Sequence, residues 1–219
     1  MSDRIITIGE FVDSGKPVTL DLNYLIELKL LSMAMTGGGK SHGDRVILEE
    51  SFDQIQHIII DGENEYYTLR EKFPYLLFGS KEDNADVPIQ PKLAEVLPET
   101  LMRINKSAII DISELKPMER EIFVSVFLKK LLDIPKSLRH PCLVMLDESQ
   151  KHCPEKGYGS SISSEAVKDF VARCRKRKFT AIFSTQRPAA LSKDITGACG
   201  PVEPDKNGCC PSCGGKVKK

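Results

Sequence analysis

Short apolar runs that end abruptly in polar residues recur along this chain. Residues 28–33 lead into a glycine-rich stretch, residues 57–60 stop at Asp61, residues 142–146 stop at Asp147-Glu148, and residues 180–184 stop at Thr185-Gln186-Arg187-Pro188; residues 107–112 form a further run of this kind. A strand with one wet face alternates polar and apolar positions, whereas a strand covered on both faces reads as a continuous apolar run. These segments are therefore read as buried parallel strands, with residues 29–34 as the strand that feeds the glycines. Between them the period changes. Residues 42–52 have helical character, residues 117–132 place Ile122, Phe123, Val126, Phe127 and Leu131 at helical spacing behind a proline in the first turn, and residues 164–176 put Val167, Phe170, Val171 and Cys174 on one face. Upstream, residues 4–11 and 17–27 read as two strands about a turn at Ser14-Gly15-Lys16-Pro17, and residues 81–98, rich in Pro, Asp and Asn, read as a loop with one helical turn. Alternation of strands and helices predicts an α/β fold with a mostly parallel sheet and helices on both faces. Ligand chemistry then belongs at the carboxyl ends of the strands. No internal repeat is visible.

The octapeptide AMTGGGKS, residues 34–41, occupies such an end. A phosphate-binding loop needs consecutive backbone N–H groups around one concavity, a helix N-terminus behind them, a lysine for the outer phosphates and a hydroxyl for Mg²⁺. Thr36, Gly37, Gly38 and Gly39 supply the loop, Lys40 the charge and Ser41 the hydroxyl. Ala34 stands where the usual first glycine would, which removes no ligand. The competing reading is a flexible glycine turn that precedes Lys-Ser by chance. Farther along, Asp147 can hold Mg²⁺ and Glu148 can polarise the water that attacks the γ-phosphate; the plainer reading is two acids capping a loop. Gln186, on a neighbouring strand end, can contact the γ-phosphate or that water.

Composition adds exclusions rather than a function. The chain has 219 residues and a formal net charge of zero, so one ordinary domain is expected and no global field draws it to nucleic acid. No apolar run of 18 residues occurs, and the first 16 residues mix charged with apolar positions, so neither a membrane span nor a leader is read and a cytosolic location is expected. Seven cysteines is an odd count. Cys142 and Cys174 fall in apolar segments as small buried thiols, which argues against a disulfide framework. His140 and His152 read as surface or loop residues.

Together, AMTGGGKS, DGENEY (residues 61–66), LVMLDESQ (143–150) and RCRKRKFTAIFSTQRPAALSKDI (173–195) resemble the HerA/FtsK superfamily of hexameric DNA-pumping ATPases, most closely its HerA-like branch. The match covers roughly residues 21–195. The resemblance implies a RecA-like P-loop NTPase core (residues 1–195) that binds ATP and Mg²⁺ between neighbours of a homo-oligomeric, hexameric ring and moves double-stranded DNA through it. A nuclease or a capsid is the further partner it suggests, and a viral version would work in the host cytoplasm. Carried over by position, Lys40 contacts phosphate, Ser41 and Asp147 hold Mg²⁺, Glu148 is the catalytic base, Gln186 the γ-phosphate sensor, and Arg175 an arginine finger inserted into the neighbouring site. Asp61 and Glu65 match an acidic motif to which no role is assigned here. For Arg175 a solvated helix end and phosphate contact to DNA are the competing readings, and Arg173 or Arg177 could take its place.

Cellular HerA-like proteins carry an additional N-terminal barrel and a C-terminal extension, and neither is expected within these 219 residues. The chain resembles a compact viral or mobile-element version, suited to genome packaging or to DNA processing, or else a truncated one. A nucleotide-dependent assembly or switch protein that moves no DNA is the alternative from another class. Residues 196–219 form a short Cys-rich tail in which CPSCGG resembles one knuckle of a zinc ribbon. Cys199, Cys209, Cys210 and Cys213 are its candidate Zn²⁺ ligands, against an unliganded tail or a redox dithiol.

Overall fold

The computed structural model describes residues 4–27, 29–34 and 39–199. It opens on an antiparallel pair, β1 (Ile5–Glu10) and β2 (Pro17–Asp21), with Ile5 opposite Asp21. Strand character was expected to run on to residue 27, but the chain turns instead into α1 (Leu22–Glu27). The Asp21 carboxylate accepts the Asn23 N–H at 2.8 Å, a local cap that competes with strand pairing and starts the helix.

From there strands and helices alternate: β3 (Leu30–Met33), α2 (Lys40–Ser51), β4 (Gln56–Asp61), β5 (Leu76–Gly79), β6 (Val87–Pro88), α3 (Leu97–Ile104), β7 (Ala108–Asp111), α4 (Pro117–Leu132), β8 (Cys142–Leu146), α5 (Ser149–His152), α6 (Ser164–Arg173), β9 (Phe179–Thr185) and α7 (Lys193–Ala198). β3 to β9 form one sheet in the order β3-β9-β8-β4-β7-β5-β6, and every neighbouring pair is parallel. All its carboxyl ends therefore share one edge. Period-2 geometry sends successive side chains to opposite faces. Ile58 and Ile60 of β4, Ala108 and Ile110 of β7, and Val144 of β8 join the core under α3, α4, α6 and α7. Ile59, Ile109 and Met145 join the core under α1, α2 and Ile6 of β1. Both faces are covered, which is why these strands carry uninterrupted apolar runs.

Residues 81–98, expected as a loop, contain β6, a 3₁₀ turn at Pro91–Glu95 and the start of α3. Proline in the first turn of α3 is compatible with a helix start, and Leu97, Leu101 and Met102 bury against α4. α6 stops at Arg173 rather than residue 176. The chain tightens into a 3₁₀ turn at Arg175–Arg177, and Lys178 at φ 66° reverses it into β9. Among the described residues, no helix is long and apolar enough to cross a membrane.

Candidate nucleotide site

The carboxyl ends of β3, β9, β8 and β4 lie side by side, and each delivers polar groups to one place. Gly39, at φ 79°, starts α2 from a left-handed conformation that glycine adopts without strain. Lys40 follows as the first helical residue and is buried. Its Nζ donates to Asp147 Oδ1 at 2.8 Å and to Ser184 Oγ at 2.7 Å. The Ser184 hydroxyl passes a 2.8 Å hydrogen bond to Asp44 Oδ2, which also accepts from the Tyr66 hydroxyl at 3.2 Å. Asp44 lies one helical turn beyond Lys40, so both face the same side of α2. Burial works against the Lys40 ammonium, but Asp147, then Asp44 and Glu65, outweigh it and hold its pKa above the ordinary value. Burial likewise raises Asp147 despite Lys40 beside it. Both directions mark a pocket short of positive charge. Thr36, Gly37 and Gly38 of the expected loop lie outside the described residues.

The acidic motif after β4 divides into two roles. Asp61 turns back on its own loop, accepting the N–H groups of Glu63 at 3.1 Å and Tyr66 at 2.8 Å. Burial pushes its carboxyl up to about 7, the backbone donors resist, and Asp147 adds to the rise. Asp61 thus shapes the turn, and the turn presents Glu65: the Ser41 hydroxyl donates to the Glu65 carboxylate, and Arg45 donates to the Glu65 carbonyl.

Glu148 follows β8 at φ 48° and ψ 42°, a left-handed conformation that is costly for a residue with a Cβ and is met at functional sites. Its Oε2 accepts Gln150 Nε2 at 2.6 Å, and Gln150 Oε1 accepts the Thr185 hydroxyl at 2.5 Å. Glu148 Oε1 is buried without a hydrogen-bond partner among the described residues. A cleft of about 900 Å³ opens beside it, lined among others by Glu148, Gln150, Gln186, Arg187 and Arg120. Gln186 is half-buried at this wall, and Lys151 and Glu63 form an ion pair at the cleft. Arg175 is not brought here. It is exposed at the opposite end of β9, whose seven residues span about 20 Å at the ordinary strand rise.

Mg²⁺ takes hard oxygen ligands and is usually bound through one or two side chains plus phosphate oxygens. The Ser41 hydroxyl and the Asp147 carboxylate are such donors, and Asp147 Oδ2 is a buried acceptor with no partner among the described residues. The residues fit that ion. No group of three or more His, Cys, Asp or Glu side chains able to hold a metal occurs among the described residues. Cys199 is a free, half-buried thiol packed against the larger core, and burial pushes it up to about 12. Cys209, Cys210 and Cys213 lie outside the described residues.

Asp44, Tyr66, Gln150, Ser184 and Thr185 belong to the site but were not singled out from sequence. Asp44 carried a usable signal, since helical spacing places it on the face of Lys40. His152, expected as a surface or loop residue, belongs to α5 and is buried at the wall of the cleft, and desolvation lowers its pKa to about 4.

Removing Lys40 would strand Asp147 as a buried anion, and breaking a buried pair from one side costs about 3–5 kcal/mol. Lys40→Ala is therefore expected to unfold at a markedly lower temperature and to lose nucleotide binding, while adding Asp147→Asn recovers stability without recovering binding. Thermal unfolding followed alongside titration with a fluorescent nucleotide checks both halves.

Residues 6–84 match the family described as "Helicase HerA, central domain" (DUF87). Among solved structures, VirB4 of Thermoanaerobacter pseudethanolicus is 14% identical over 83% of this chain and 76% of its own, with a TM-score of 0.56. The genome packaging NTPase B204 from Sulfolobus turreted icosahedral virus 2, in complex with AMP, is 16% identical over 76% of this chain and 69% of its own, with a TM-score of 0.48. The pCW3 conjugation coupling protein TcpA, with ATPγS, is 19% identical over 90% of this chain and 53% of its own, with a TM-score of 0.48. The likeness to VirB4 is one of fold. Among curated proteins, none matches this chain significantly.

Proposed function

We propose, from the premise that this chain carries the HerA central-domain signature on a P-loop ATPase fold of the HerA/FtsK type, that it is an ATP-hydrolysing motor subunit that moves double-stranded DNA as a homo-oligomeric ring. The observation that carries the ATPase half is the carboxyl-edge cluster: Lys40 clamped between Asp147 and Ser184, with the unpartnered Oε1 of Glu148 beside an open cleft.

Two of the three Lys40 N–H donors are engaged among the described residues, so a third can reach a phosphate oxygen. Ser41 and Asp147 would hold Mg²⁺, which when bound neutralises charge on the β- and γ-phosphate oxygens. Ser41 then exchanges its Glu65 partner for that role. Glu148 Oε1 takes the proton of the attacking water, Oε2 stays fixed by Gln150, and Gln186 contacts the γ-phosphate or the water. Arg175, remote from its own chain's site, acts on a neighbour's, and the basic run 175–178 supplies phosphate contacts that a chain of zero net charge must make locally.

Genome packaging is the first role proposed, with HerA-like DNA processing next; a capsid or a nuclease is the corresponding partner. Duplex DNA is expected to raise the ATPase rate, and ATP with DNA to raise the oligomeric mass toward a hexamer. Light scattering and a steady-state assay with and without duplex measure this. A monomer whose ATPase ignores DNA would instead favour a nucleotide switch.

A further inference from the structure

Between β9 and the base runs a buried chain of hydrogen bonds that the reaction above does not use. The Arg187 N–H donates to Thr185 Oγ1 at 3.0 Å, the Thr185 hydroxyl to Gln150 Oε1 at 2.5 Å, and Gln150 Nε2 to Glu148 Oε2 at 2.6 Å. Thr185, Gln150 and Glu148 are 0%, 8% and 7% exposed. The chain is directional. Glu148 as a carboxylate only accepts, so the Gln150 amide must turn its NH₂ toward it and its oxygen toward Thr185. Thr185, already accepting from Arg187, has its proton free to give. One end fixes one oxygen of the base and leaves the other for water; the other end brackets Gln186, the residue between Thr185 and Arg187.

We propose that Gln150 is a positioning residue that, anchored by Thr185, couples the Gln186 segment at the end of β9 to the orientation of Glu148. A phosphate that shifts residues 185–187 moves the Thr185 hydroxyl, and with it the donor that aims the base. Hydrogen bonds in a buried chain polarise one another, so a shift at one member is felt by the next. The inference rests on Glu148 being the base.

Gln150→Ala and the near-isosteric Thr185→Val are each expected to lower kcat at saturating ATP by about 10- to 100-fold, the range for a misaimed catalytic group, with nucleotide Kd and unfolding temperature held. Thr185→Ser, which keeps the hydroxyl, retains the parental kcat. The Gln150→Ala/Thr185→Val double variant is no slower than the slower single, because both cut one chain. Parental kcat in Thr185→Val, additive losses in the double, or failure of Thr185→Ser to rescue would each overturn the coupling. Glu148→Gln separates the two levels: inactive Glu148→Gln beside fully active Thr185→Val sinks the coupling alone, whereas active Glu148→Gln removes the base assignment and the coupling with it.

Discussion

Glu148→Gln is expected to bind ATP as the parent does and to hydrolyse it about 10²- to 10⁴-fold more slowly, the range for loss of a positioned general base. The substitution is almost isosteric, and its effect can be localised to one atom. Gln150 Nε2 now donates to Glu148 Oε2, and a glutamine at 148 can offer its carbonyl there, so the side chain keeps its place. The amide nitrogen then stands where the unpartnered Oε1 faced the cleft. An NH₂ group has no lone pair for the water's proton. Single-turnover hydrolysis measured beside nucleotide titration separates chemistry from binding. Hydrolysis at the parental rate would put the base elsewhere.

Arg175→Ala is expected to be inactive alone, yet a mixture with Glu148→Gln chains should hydrolyse ATP well above either parent. The reason is distance. Arg175 sits at the amino end of β9 and the cluster at its carboxyl end, about 20 Å apart by strand rise, so no rotamer brings it to its own chain's phosphates. If it completes a neighbour's site, mixed rings contain interfaces with an intact Glu148 from one parent and an intact Arg175 from the other. A transition-state arginine is worth about 10³- to 10⁵-fold, so a minority of rebuilt interfaces suffices. Should mixed oligomers form and no activity return, Arg175 is outside the active site.

The sheet and the position of the acidic pair Asp147-Glu148 were legible from sequence for a single physical reason: strands buried on both faces leave uninterrupted apolar runs, and the residue that breaks each run sits at the carboxyl edge. Asp61 and Asp147 were located in that way. The network beneath was not, because Ser184 and Thr185 read as ordinary strand residues and only the order β3-β9-β8-β4 puts Ser184 against Lys40. α3 was lost to its single proline, Pro98, and to a flanking stretch of loop-like composition, although Leu97, Leu101 and Met102 mark one buried side. The end of α6 was misjudged because Cys174 continues its apolar face while the backbone is already leaving the helix toward the left-handed Lys178. Glu65 could be flagged but not interpreted, since its contact with Ser41 joins segments that share no pattern.

β3 carries the chain into the phosphate loop, yet among the described strands its sole neighbour is β9. The segment proposed to cradle phosphate thus adjoins the last of the described strands to be made. During synthesis, β4 and β7 can pair as soon as they have emerged, while β3 waits for Phe179–Thr185 to leave the ribosome. Contacts so distant in sequence form late because the intervening loop must be closed first. On the proposed function the nascent chain is therefore blind to ATP until most of the described fold is committed, and a ribosome stalled before β9 would display a half-built sheet whose unpaired β8 edge is open to aggregation.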